Sequence, residues 1–201
     1  MKLLDDKLIK DTIKSIQTPY NFNFYEENPF SINAFISNST FSPNSSYHIH
    51  SLELFKSGDY TKINEHSDNI YMVTSDVLEM RGGKYKGTLE YCNYAVPWIV
   101  IEKVKIGNDH LGRPVYEDRE VLKGYINCIL KYKDFSISSN EAINLTKPIY
   151  EITVKDNDAS RGYFKLNEST YEKVDIYGKP FRIINVDYSK KGLINLRLEK
   201  Y

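Results

Sequence analysis

Residues 98–106 read WIVIEKVKI, residues 107–114 read GNDHLGRP and residues 115–122 read VYEDREVL. The first outer segment is rich in β-branched residues and the second carries Val115, Tyr116 and Val121, all of which favour strands, whereas the glycines and the proline of the middle segment favour a turn. We therefore predict a long β-hairpin whose turn lies at residues 107–114. Similar short runs, broken by turn residues, fill most of the chain from about residue 48. The sequence thus predicts a mainly β protein, built as a small antiparallel β-barrel or sandwich.

The first 47 residues do not follow this β pattern. Leucines and isoleucines at helical spacing predict a short amphipathic N-terminal helix that ends before Thr18-Pro19. Residues 20–47 hold five phenylalanines but no sustained period, so we expect an extended arm that orders on a neighbouring subunit. The predicted units are the helix and arm at 1–47, a first β unit at 48–106 and a second at 107–201 that completes the barrel. Deleting residues 1–47 should then leave a folded barrel.

An internal repeat suggests that the two β units are duplicates. Each copy has the order strand, turn, strand, loop, strand, which is a three-stranded meander too small to bury its own core. The similar segments are 59–63 and 170–174, 70–73 and 181–184, and 87–91 and 192–198. Chance similarity between strands of a β protein is the alternative explanation.

Composition excludes several classes of protein. Lys+Arg and Asp+Glu both number 27, so the chain lacks the strong positive field of a polybasic DNA-binding protein. Two cysteines, Cys92 and Cys128, cannot build a disulfide framework or a four-ligand zinc site, and we predict buried thiols. Acidic residues interrupt the apolar run that a signal peptide would need at the N-terminus. No apolar run anywhere approaches the ~20 residues of a membrane span. We expect a soluble protein that is made in the cytoplasm and does not contact a membrane.

One histidine pair has the spacing of metal ligands. His48 and His50 on a strand would point to the same face, with Glu53, His66 or His110 as a third ligand. No metal-binding motif supports the pair, and exposed histidines explain it more simply. We predict neither a metal site nor a bound cofactor.

Two other patterns could carry chemistry. Asp109-His110 could form an acid–base pair, but it lies at a loop tip where nothing shifts its pKa values. Gly82-Gly83-Lys84 lacks the full phosphate-loop spacing and is more simply a hairpin tip. With no catalytic motif elsewhere, we expect a protein that is not an enzyme.

An oligonucleotide-binding barrel is the rival class, because a small β-barrel with many aromatic residues can stack bases. The chain offers only a mildly basic C-terminal unit to match. Its basic residues are Lys165, Lys173, Lys179, Arg182, Lys190, Lys191 and Arg197. This is weak support for a nucleic-acid groove.

The candidate site is the tip of the long hairpin. Asn108, Asp109, His110 and Arg113 are polar residues held away from the body by two long strands. We predict that they contact a partner ring or line a DNA channel, where Asp109 would repel phosphate and Arg113 attract it. An ordinary hairpin tip without a partner is the alternative.

Three stretches carry family motifs in a fixed order. The first stretch has the turn Gly58-Asp59-Tyr60, a strand that ends in Val73-Thr74-Ser75, and then Tyr91-Cys92-Asn93 and Trp98. The second stretch has a turn at residues 109–116 and then Gly124-Tyr125-Ile126. The third stretch, residues 174–187, contains Gly178-Lys179-Pro180-Phe181 and is followed by a strand at residues 193–198. In this order they resemble the neck proteins of tailed bacteriophages, the β-barrel family of head-closure, head-completion or head–tail joining proteins. The resemblance covers about residues 58–201. Single-barrel members are shorter, so the additional half would be a second barrel or a decoration.

The resemblance implies a structural virion protein that is assembled in the host cytoplasm. Such proteins form a homo-oligomeric ring in the head–tail connector, next to a portal or adaptor ring and to tail-terminator or tail proteins. The ring retains genomic dsDNA, which passes through its channel without sequence-specific contacts. A tail-terminator or baseplate component is the alternative within the same particle.

Overall fold

The computed structural model describes residues 5–24, 26, 28–38, 46–64, 67–133, 149–166 and 173–200. Strands dominate this part of the chain, and they form two antiparallel sheets. The elements are α1 (Asp6–Ile16), β1 (Thr18–Phe22), β2 (Phe30–Asn38), β3 (Ser46–Ser51), β4 (Tyr60–Lys62), β5 (Ile70–Val73), β6 (Leu78–Met80), β7 (Lys84–Tyr91), β8 (Tyr94–Asn108), β9 (Pro114–Lys133), β10 (Ile149–Lys155), α2 (Asp158–Tyr163), β11 (Lys173–Ile176), β12 (Lys179–Asp187) and β13 (Leu193–Lys200). The predicted mainly β fold is confirmed.

The predicted N-terminal helix is α1. The carboxylate of Asp5 accepts a hydrogen bond from the Lys7 backbone N–H at 3.0 Å, which caps the first turn. The helix ends before Thr18-Pro19, as the sequence predicts. Ile13 is its one buried residue among those described, so α1 lies on the surface of the body.

The first sheet closes into a barrel. Its strand order is β3-β2-β1-β4-β5-β7, and β3 also pairs with β7, which completes the ring of strands. The short strand β6 extends β7 as a hairpin outside the ring. The barrel interior holds the buried cluster Phe22, Ile32, Ala34, Ile49, Phe55, Tyr71, Val73 and Leu89.

Residues 18–38 differ from the expected extended arm. They form β1 and β2, which pair with each other from Thr18–Ala34 to Phe22–Phe30 and take two positions in the barrel. Phe22, Ile32 and Ala34 point into the core because alternate residues of a strand face the same side. The expectation of an extended arm is therefore wrong, and because deletion of residues 1–47 would remove two barrel strands, we expect that deletion to unfold the barrel. Residues 39–45 lie outside the described part of the chain.

The second sheet is an open half-barrel with the strand order β11-β12-β13-β10-β9-β8. Its concave side holds a separate apolar core to which β8, β9, β10, β12 and β13 all contribute. Phe164, directly after α2, is buried in that core and covers it from one side. The last strand of the first sheet ends at Tyr91, and the second sheet begins at Tyr94 with β8. The sequence analysis assigned residues 94–106 to the first β unit, but in the structure they belong to the second sheet.

The predicted meander order of the internal repeat is confirmed in both sheets. Strands β4, β5 and β7 are neighbours in the first sheet, and β11, β12 and β13 are neighbours in the second. Both triplets are antiparallel throughout. Residues 170–172, which begin the second copy, lie outside the described residues.

Candidate functional site

The hairpin formed by β8 and β9 extends far beyond the second sheet. The two strands pair from Tyr94–Cys128 at the base to Asn108–Pro114 at the tip, with bulges after Trp98 and Lys105. Strand β9 pairs with β10 only along Cys128–Val154 to Lys133–Ile149. Residues 99–122, which we call the ribbon, are therefore two-stranded within the described part of the chain. At ~3.3 Å per residue the ribbon reaches about 30 Å from the body.

The ribbon exposes large apolar side chains. Ile101 is 69% exposed, Leu122 is 51% exposed and Ile99 is 47% exposed. A two-stranded ribbon alone is marginally stable in water, because it cannot bury its apolar residues. Exposed apolar surface of this kind is typical of a protein–protein contact. The ribbon is thus the element of this fold that is best suited to dock on a partner.

The charges of the ribbon differ between its two faces. On one face, Arg119 Nε lies 2.9 Å from Glu117 Oε2, and Lys123 Nζ lies 2.5 Å from Glu102 Oε1. The other face carries unpaired charges, as no ion pair is formed within the described residues by Lys103, Lys105, Asp118 or Glu120. The lysines lie on β8 and the acids on β9, and Lys103 is the register partner of Asp118.

The structure brings the four predicted tip residues together at the end of the ribbon. Asp109 Oδ1 accepts hydrogen bonds from the backbone N–H groups of Leu111 and Arg113, each at 2.8 Å. Asp109 therefore closes the turn, and its carboxylate is already engaged. The side chains of Asn108, His110 and Arg113 are exposed. Their contact with a partner or with DNA stays a prediction.

A second feature, the junction between the sheets, fixes how the ribbon is presented. Gly58 and Gly192 have φ angles of +88° and +81° and touch through their backbones. A Cβ at Gly58 would lie 2.3 Å from the carbonyl oxygen of Gly192, and a Cβ at Gly192 would lie 2.4 Å from that of Ser57. Only glycine fits this contact, since both the backbone angle and the space exclude a side chain.

Polar side chains reinforce the same junction. Asp59 is buried, and its Oδ1 accepts from Asn23 Nδ2 at 2.8 Å and from Lys155 Nζ at 3.4 Å. Lys155 comes from β10 and also lies 2.9 Å from Glu26 Oε2. These bonds join the loop after β1, the turn before β4 and the second sheet. Sequence reasoning identified the Gly58-Asp59 turn but missed its partners, which are distant along the chain.

A cleft of about 1030 Å³ opens between the sheets at the base of the hairpin. Aromatic residues, among them Tyr60, Trp98 and Tyr125, line it together with Lys155. Asn93 at its wall donates through Nδ2 to the Leu130 carbonyl at 2.8 Å and accepts from the Leu130 N–H at 2.7 Å. This amide therefore ties the connection between the sheets to β9.

The histidine pair lies on the outer face of the barrel. The rings of His48 and His50 are 6.4 Å apart between centroids, and the Nδ1 atoms of both are buried without a hydrogen-bond partner. The expected third ligands do not converge on them: Glu53 binds Asn33, and His110 is at the hairpin tip. His66 lies outside the described residues. Within the described part, the structure contains no group of three or more potential metal ligands.

His50 predicts a pH dependence of stability. Burial, with the nearby charges of Lys84, Lys86 and then His48, lowers the pKa of His50 to about 4. Protonation is thus harder in the folded state than in the unfolded state, where the pKa is about 6.5, so stability is lost as the pH falls from about 6.5 through 4. The free energy of unfolding, measured with urea, should fall by an amount on the order of 1 kcal/mol over this pH range in the unmodified protein. We expect this decrease to be absent in the His50→Gln variant.

The control for this prediction is His110→Gln, which changes an exposed histidine at the ribbon tip. The loss of stability between about pH 6.5 and 4 should persist in this variant, because His50 is retained. A His50→Gln profile as steep as that of the unmodified protein would contradict the assignment to His50.

The predicted buried thiols are confirmed. Cys92 and Cys128 are both free and buried, and burial is the main cause that raises their pKa values, that of Cys92 to about 12. Cys92 packs in the apolar cluster between the two sheets, next to Met72 and Ile129. Both thiols are therefore part of the packing and are poor nucleophiles.

The basic residues that favoured an oligonucleotide-binding barrel are partly engaged within the protein. Arg182 Nη2 lies 2.6 Å from Glu199 Oε2 on the neighbouring strand. Lys190 Nζ donates to the Thr74 carbonyl at 3.5 Å across the sheet junction. The Glu199 carboxylate offsets the charge of Arg182, and the contact with Thr74 holds Lys190 against the sheet junction, so neither side chain is fully available to a nucleic-acid groove.

Comparison with known proteins gives one family. A family model described as the YomX C-terminal domain matches residues 94–199, just over half of the chain. The match begins at the first residue of β8 and ends in β13, so it coincides with the second sheet and includes the ribbon. No curated protein and no solved structure matches significantly. Neither helix in the described residues has the length and hydropathy of a membrane span.

Proposed function

The chain belongs to the YomX C-terminal domain family, which is phage-associated, and on that premise we propose that it is a non-enzymatic structural protein of a bacteriophage particle. We place it in the head–tail connector, as a homo-oligomeric ring that closes the head, retains the packaged DNA and docks the tail. Its partners there are a portal or adaptor ring, tail proteins and the DNA that passes through.

The observation that carries this proposal is the ribbon. A rigid two-sheet body holds out a two-stranded element of about 30 Å with exposed apolar side chains, which suits a subunit that must reach a neighbouring subunit or ring. The formal net charge of zero is compatible with a channel through which DNA slides without sticking. The order of the turn and strand motifs along the chain, which resembles that of phage neck proteins, adds support for the connector position.

Disruption of the gene in the phage or prophage that carries it tests this function. We expect lysates that contain heads without tails, many of them emptied of DNA, when particles are examined by negative-stain electron microscopy. Expression of the chain from a plasmid should restore tailed, infectious particles. Normal yields of DNA-filled, tailed particles after disruption would contradict the proposal.

A further inference from the structure

We propose that the ribbons of neighbouring copies pair edge to edge, with β9 of one copy against β8 of the next, so that the ring carries a continuous β collar. This inference rests on the proposed homo-oligomeric ring and specifies the contact that holds it together. The occupant of each free ribbon edge is thus a second copy of this chain.

The first argument is that both edges of the ribbon are open. Within the described residues, β8 pairs only with β9, and β9 has no second partner before Cys128. Unpaired backbone N–H and C=O groups along a long edge are a template for another strand. Exposed apolar residues continue along both strands, at Ile99 and Ile101 on β8 and Leu122 on β9.

The second argument is that the two edges carry opposite charge. On the exposed face, β8 presents Lys103 and Lys105, and β9 presents Asp118 and Glu120. None of the four forms an ion pair within the described part of the chain, so their charges are available. Two β8 edges would place lysines together and two β9 edges would place acids together, whereas β9 against β8 brings opposite charges together.

The third argument is the direction of the strands. In a ring with rotational symmetry all ribbons point the same way, so β9 of one copy runs antiparallel to β8 of the next. The contact uses two different surfaces of each copy, and such a heterologous contact closes into a ring when the rotation allows. The collar would therefore extend the antiparallel pairing of the hairpin itself around the ring.

Charge reversal tests this arrangement. One variant, Lys103→Glu with Lys105→Glu, makes both edges acidic, and a second, Asp118→Lys with Glu120→Lys, makes both edges basic. We expect the unmodified chain to form oligomers in native mass spectrometry and each variant alone to associate at least about tenfold more weakly, because like charges then face each other. An equal mixture of the two variants should form oligomers in which they alternate.

Two controls separate pairing between copies from damage to the ribbon. A chain with all four reversals restores opposite charges on the two edges and should assemble alone. A charge-matched double reversal on α1, Lys7→Glu with Lys14→Glu, should assemble like the unmodified chain. The inference is overturned if the unmodified chain stays monomeric, if either edge variant assembles normally, or if the mixture fails to assemble.

The proposed function and the collar can fail separately. If the chain is present in purified particles but the edge variants assemble and enter particles normally, the collar is wrong and the structural function stands. If the charge-reversal pattern holds in solution but the chain is absent from particles, the proposed function is wrong and the edge pairing stands.

Discussion

Replacement of Gly58 by alanine is expected to lower the free energy of unfolding by about 3 kcal/mol. The new Cβ would lie 2.3 Å from the Gly192 carbonyl oxygen, and the φ angle of +88° is unfavourable for alanine. Neither backbone can move easily: the Gly58 N–H donates to the Val73 carbonyl at 2.8 Å, and the Gly192 carbonyl accepts from the Asp156 N–H at 2.9 Å. Urea unfolding followed by circular dichroism measures the loss.

Gly112→Ala is the matched control for this prediction. Gly112 also has a positive φ, +77°, but a Cβ there would have no neighbour within 4 Å. Its replacement should cost only the backbone strain, about 1 kcal/mol. Equal losses of unfolding free energy for Gly58→Ala and Gly112→Ala would show that the glycine contact does not hold the two sheets together. They would also contradict the inference that this contact fixes the position of the ribbon.

Removal of the ribbon is expected to lower the yield of infectious particles by a factor on the order of 100. A loss of ~3 kcal/mol of binding free energy to the partner is enough for such an effect. Replacing residues 99–123 with Asn-Gly closes the hairpin at the Trp98–Gly124 pair with a favoured two-residue turn. The body should keep its stability to within about 1 kcal/mol, because the ribbon contributes no residue between 99 and 122 to the buried cores. Plaque titres from complementation of the disrupted gene measure the effect.

The control here is a replacement of the tip alone. Asn-Gly in place of residues 108–113 removes Asn108, Asp109, His110 and Arg113 but keeps both strands of the ribbon and its exposed apolar residues. We expect a smaller loss of yield than for removal of the whole ribbon, through DNA leakage or tailless heads. Wild-type titres from the ribbon deletion would refute a docking role, and equal losses from both variants would assign that role to the tip.

The hairpin could be predicted from the sequence because its signals are local. Strand-forming residues such as isoleucine, valine and tyrosine on both sides of a segment with two glycines and a proline specify two strands and a turn without reference to the rest of the chain. The same is true of α1, where helical spacing and Thr18-Pro19 set the element and its end. The meander repeat is likewise visible in the sequence, since neighbouring strands of each copy are close along the chain, with only the short β6 between β5 and β7.

Strands β1 and β2 were missed because their pairing is not evident locally. Phe35 is apolar but exposed and so blurs the alternation of Ile32, Ala34 and Ile36, and β1 has a single buried residue, Phe22. The barrel supplies the burial that makes these segments strands, so tertiary context outweighs their weak pattern. The phenylalanines that suggested an arm on a neighbouring subunit include Phe22, which packs in the chain's own core.

The two parts of the candidate site, the ribbon with its tip and the junction between the sheets, also differ in how well the sequence predicts them. The tip residues could be chosen from turn chemistry, and the ribbon from strand length. The junction could not be predicted, because Asp59 meets Asn23 across 36 residues and Lys155 across 96. Polar contacts of such separation leave no spacing pattern in a single sequence.

The most direct test of the structural role is the location of this chain in purified phage particles, by cryo-electron microscopy of the head–tail junction. We expect a ring of copies between the portal and the tail, with the ribbons at the boundaries between neighbouring subunits. Particles in which the chain is absent, or present only at the far end of the tail, would contradict a role in the connector.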